Sequence, residues 1–90
     1  MSLSNLWTLI KADLVRARNA LPQDAISHEA MNLFQEFLSE NELGLACSTL
    51  EDCAEGRRVD KEFWLALRDA ATKMGLAEEA IRYEKYAANQ

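Results

Sequence analysis

The chain has 90 residues, 49% of them apolar, and a formal net charge of −5, enough for one core and one domain spanning residues 1–90. One Pro, three Gly and only eight Val, Ile and Thr argue against a hairpin-rich sheet, and the abundance of Ala, Leu, Glu, Lys and Arg favours an all-α fold. No apolar run approaches the roughly 18 residues that span a bilayer, and the acidic balance argues against nucleic acid or an anionic membrane as partner, since phosphate binding needs a basic footprint.

Caps and periodicity predict a compact bundle of about five short helices, over residues 4–20, 28–38, 40–55, 61–74 and 77–87. In the first, Trp7, Ile10, Leu14, Ala17 and Leu21 recur at three- and four-residue spacing as one apolar stripe. Leu21-Pro22 ends it, because proline pushes the residue before it out of the α region. The second starts at Ser27 as N-cap, with Glu29 in the first turn and Ile26 and Met31 as a hydrophobic staple. Its core face is Ala30, Met31, Phe34, Phe37 and Leu38.

Ser39-Glu40-Asn41-Glu42 matches the capping box S-x-x-E and predicts that the third helix starts there at a sharp corner. Leu43, Ala46, Cys47, Leu50, Cys53 and Ala54 form its inner face, and Gly44 is expected to ease the approach of a neighbouring helix. Gly56 reads as the residue that ends it. The fourth helix takes Asp60 as N-cap, with Val59 and Trp64 as staple, and stops at Gly75. The fifth has Glu78 and Glu79 in its first turn and a narrow apolar face of Ala80, Ile81, Tyr83 and Ala87.

No catalytic or metal site is expected. Cys47 and Cys53 lie about 9 Å apart along one helix and roughly 120° around it, too far for a disulfide; they read as small hydrophobes of a reducing cytoplasm. The amino terminus has no basic leader before its apolar residues, so no signal peptide is expected. His28-Glu29-Ala30-Met31-Asn32 begins like a zinc-protease helix but has Asn where the second His must stand. No EF-hand loop or Glu-x-x-His motif occurs. The chain is expected to be no enzyme and to need no cofactor.

Charge is the informative feature. Between Asp24 and Glu55 there are eight acids and no base. Glu36 and Glu40 form a like pair at i,i+4, as do Glu51 and Glu55, with Asp52 and Glu55 at i+3; such pairs cost a few tenths of a kcal/mol each. An acidic patch of Glu29, Glu36, Glu40, Glu42, Glu51, Asp52 and Glu55 is therefore expected to bind a basic protein partner.

Two resemblances bear on that partner. The segment FLSENELGLACSTLEDCAEG, followed by the V-D-K-E-F-W helix start and KMGLAEEA, resembles the small helical immunity proteins of the Maf and contact-dependent growth inhibition systems of bacteria. The similarity runs from about Met31 to Ala87 and is carried by Glu42, Gly44, Leu45 and Ala46, then Leu50, Glu51 and Asp52, then Asp60, Phe63 and Trp64. It implies a cytoplasmic inhibitor that binds one toxin domain, often a nuclease, and carries over no individual binding residue. Separately, residues 63–87 resemble a single tetratricopeptide hairpin through Trp64, Leu67, Gly75, Ala80 and Ala87, although Arg68 and Glu84 stand where that repeat has a small and an aromatic residue. That resemblance implies the alternative, a small adaptor that docks a peptide or protein.

Overall fold

Helix-favouring stretches broken at Pro22, Asn41, Gly56 and Gly75 give five helices in the computed structural model, which describes residues 3–89. They are α1 (Leu3–Asn19), α2 (His28–Ser39), α3 (Leu43–Ala54), α4 (Lys61–Lys73) and α5 (Ala77–Ala88), with a short 3-10 turn, Gln23–Ala25, between α1 and α2. No strand occurs among the described residues, and the protein is an all-α bundle. Met1, Ser2 and Gln90 of the expected domain lie outside the described residues.

α4 is the organising element. Phe63, Trp64, Ala66, Leu67, Ala70 and Ala71 are all buried, a wide arc that α1 and α5 cover between them. The three alanines let those neighbours come close, and the larger residues fill the space left over. α1 also packs on α3, and α2 reaches the bundle through α3. Phe34 is the one fully buried residue of α2, and Met31, Phe37 and Leu38 pack half-buried against the core around it; burial of a side chain like Phe34 is worth about 2–3 kcal/mol.

The corner between α2 and α3 forms by a different device from the expected one. Ser39 does not cap α3: it remains in the last turn of α2, where its hydroxyl donates to the Glu36 carbonyl at 2.9 Å. Asn41 instead takes a left-handed conformation, φ 59°. The Glu42 N–H then reaches the Phe37 carbonyl at 2.8 Å and the Asn41 N–H reaches Leu38 at 3.2 Å. This is a Schellman stop, which satisfies two orphan carbonyls of α2 and leaves Glu42 at the head of α3 without a side-chain cap bond. The same pattern closes α4, with Gly75 at φ 76° and Leu76 N–H on the Ala71 carbonyl at 2.9 Å.

Other expectations also change. Ser27 does cap α2, accepting from the Ala30 N–H at 3.1 Å, but Asp60 precedes α4 without a side-chain cap bond. Gly56 does not simply follow a helical residue. Glu55 is extended, and the Arg57 N–H bonds to the Ala54 carbonyl at 3.1 Å across Gly56 at φ 73°, which is a type II turn. Gly44 faces open space, with nothing within 4 Å of an added Cβ; it eases no helix contact. Trp7 and Ile81 are exposed rather than core; Trp7 borders an open groove beside Leu6, Leu43 and Met74. Both cysteines are free, with Cys47 buried and Cys53 half-buried.

Candidate functional site

Charges on α1, α4 and α5 interlock. Asp13 is only 8% exposed and receives Lys73 Nζ at 2.6 Å, with Arg16 at 3.7 Å. Arg16 also bridges Glu62 at 3.0 Å and Asp69 at 2.8 Å. Arg68 continues the chain of charges to Asp69 at 2.9 Å and to Glu84 at 3.6 Å. Burial pushes the Asp69 carboxyl up, but hydrogen bonds from Arg16 and Arg68 outweigh it and hold the group below its ordinary value. The pairs of Lys73 with Asp13, of Arg16 with Glu62 and Asp69, and of Arg68 with Glu84 tie three helices together at sequence separations that no local pattern encodes.

One predicted patch residue belongs to such a network. Glu51 accepts from Arg82 through Nε at 3.2 Å and through Nη2 at 3.0 Å to each carboxylate oxygen. The Tyr83 hydroxyl donates to Glu51 Oε1 at 2.8 Å. Since that spends the phenol's proton, the Cys47 thiol, 3.6 Å away, is the donor toward the Tyr83 oxygen. Burial pushes the Cys47 thiol up to about 11 and the Tyr83 phenol well above its ordinary value, so both keep their protons. Glu51 is thus not an unpaired acid, which corrects the expectation that it shares an uncompensated like pair with Glu55.

The other six acids of the predicted patch are exposed and make no ion pair among the described residues. Glu29, Glu36 and Glu40 follow one another along a single stripe of α2 at i, i+7 and i+11. Glu42 heads α3, and Asp52 and Glu55 stand at its far end. Each helix also exposes a leucine near its acids, Leu33 at 44% and Leu45 at 49%. Leu33 shares an open cleft with Asp24, Asp52 and Glu55, so the α2 and α3 surfaces meet there.

A second cleft, of about 470 Å³, also borders Asp52 and Glu55, where α3 runs into the Gly56 turn. Glu51, Asp52, Glu55 and Arg57 line it, together with Ala54, Trp64, Tyr86 and Asn89. The Trp64 and Tyr86 rings meet at 4.8 Å between centroids, and Tyr86 is 39% exposed. This aromatic wall is assembled only where α4 and α5 meet. Tyr86 follows Tyr83 by three positions, and that spacing was the available signal, since residues at i and i+3 share a helix face.

Among the described residues no three His, Cys, Asp or Glu side chains are grouped to hold a metal ion, and no helix is long and apolar enough to cross a membrane. No family model, curated protein or solved structure matches the chain.

Proposed function

We propose that this chain is a bacterial immunity protein that binds and neutralises a cognate basic toxin domain, a nuclease, in the cytoplasm. The observation that carries this reading is the segregation of charge. Six exposed acids on α2 and α3 make no ion pair among the described residues, while the acids of α1 and α4 are interlocked with cations. A nuclease presents a basic groove to its substrate, and a surface of carboxylates held on two helices can occupy that groove in place of phosphates. The resemblance of residues 31–87 to Maf and contact-dependent growth inhibition immunity proteins points the same way.

The test is co-expression with the variable carboxy-terminal domain of a large secreted protein encoded beside this chain's gene. The two should co-purify, and the chain should restore growth. Glu36→Lys with Glu40→Lys should weaken the complex at low salt by at least about tenfold, chiefly in the association rate. The matched control is Lys61→Glu with Lys85→Glu, because neither lysine makes an ion pair among the described residues, whereas Lys73 holds the buried Asp13. Equal binding by both double variants rejects the acidic surface.

The adaptor alternative finds less support, because α1 lies against α4 of the tetratricopeptide-like hairpin and takes up surface that a peptide would need.

A further inference from the structure

Trp64 touches both tyrosines of α5, with centroids 5.9 Å from Tyr83 and 4.8 Å from Tyr86. At Tyr83 the protein already holds a guanidinium. Arg82 Cζ stands 5.2 Å from that ring's centroid, while the same group grips Glu51 with two nitrogens. One ring and one carboxylate thus make a complete seat for arginine within the fold.

The cleft at Tyr86 repeats those components without an internal arginine paired to its acids. It has an exposed tyrosine ring, an apolar lining of Ala54 and Trp64, and the carboxylates of Asp52 and Glu55, which make no ion pair among the described residues. Glu51 also lines it but is neutralised by Arg82, so two acids remain against one cation, Arg57. The net charge favours a cation, and the ring favours a flat one.

We propose that this cleft receives an arginine side chain of the basic protein partner, its guanidinium stacked on Tyr86 and hydrogen-bonded by Glu55 and Asp52. The assignment rests on the partner-binding reading above and names the side chain that the surface takes in. Arginine fits better than lysine because its planar fork can stack on a ring and donate to carboxylates at once, whereas an ammonium is a strongly hydrated point charge. The methylene stem would lie along Ala54 and Trp64 while the head stays at the acids.

The test needs no toxin. Trp7→Phe leaves Trp64 as the only indole, and its emission is followed at low salt during titration with a capped tri-arginine peptide and its tri-lysine counterpart. A saturable change is expected with the arginine peptide, with binding at least about fivefold weaker for the lysine peptide. Glu55→Gln, an exposed change that leaves the core intact, should weaken the arginine peptide by about fivefold, and Tyr86→Ala by more, while Tyr86→Phe retains binding. The proposal is overturned by an absent response, by equal affinity for the two peptides, or by wild-type binding in Glu55→Gln. Because the titration and the toxin co-purification are separate experiments, failure of the cleft and failure of the immunity reading are told apart.

Discussion

On α1 and α4 the carboxylates Asp13, Glu62 and Asp69 each meet a cation, as where Arg16 of α1 bridges Glu62 and Asp69 of α4. On α2 and α3 and at their ends, six carboxylates are exposed and make no ion pair among the described residues. The contrast separates charge that holds the fold from charge that acts outward. In the first region a carboxylate is partly desolvated, and its partner offsets that cost. In the second the like charges only repel one another mildly, so the fold does not need them and gains a little if they are removed.

The sharpest way to break the comparison is at Asp13. Lys73→Met leaves a buried carboxylate with only the longer Arg16 contact, and should lower unfolding stability by about 2 kcal/mol in urea titration. Tyr83→Phe comes next. It removes the hydroxyl that serves Glu51 and Cys47 while keeping the ring against Trp64, for an expected loss of about 1 kcal/mol. If Tyr83→Phe costs nothing, the phenol adds nothing to the hold that Arg82 keeps on Glu51.

Acid provides a third, milder probe of the paired region. A carboxyl held below its ordinary value contributes stability above that value, and the contribution is lost as pH falls through the folded-state pKa. Asp69 is in that position, with an ordinary value of 3.8. Urea midpoints followed downward from about pH 6 should therefore fall below pH 3.8 less steeply in Asp69→Asn than in the parent. The smallest effect has the opposite sign. Glu40→Lys removes a like-charge pair with Glu36 and places a cation at the carboxy end of α2, and should raise stability by on the order of 0.3 kcal/mol. A clear loss there would mean that the acidic surface supports the fold.

Helix boundaries were largely legible because their signals are local. Ser27 caps α2 through its own hydroxyl, and Gly75 ends α4 because a left-handed residue is needed where the chain turns away. Where two local signals overlap, reading failed. Ser39-Glu40-Asn41-Glu42 can start a helix through Ser39 or stop one through Asn41, and the stop won by satisfying two carbonyls at once. The candidate site was half legible. Six of its acids could be placed on the surface from charge runs alone, but Glu51 has the same local signature and a different fate.

What the sequence determined by itself is the all-α class, the number of helices and the acidic middle of the chain, since cap chemistry, apolar period and charge are properties of neighbouring residues. Only the tertiary structure decided which charges are partnered and which are left free. Arg82 lies 31 residues beyond Glu51 and Lys73 lies 60 beyond Asp13, and it is the packing of α3 and α5 on α4 and of α4 on α1 that brings such groups within a few ångströms. The same packing sets Tyr86 against Trp64 beside Asp52 and Glu55, because a ring wall and a carboxylate rim drawn from three helices exist only once those helices meet.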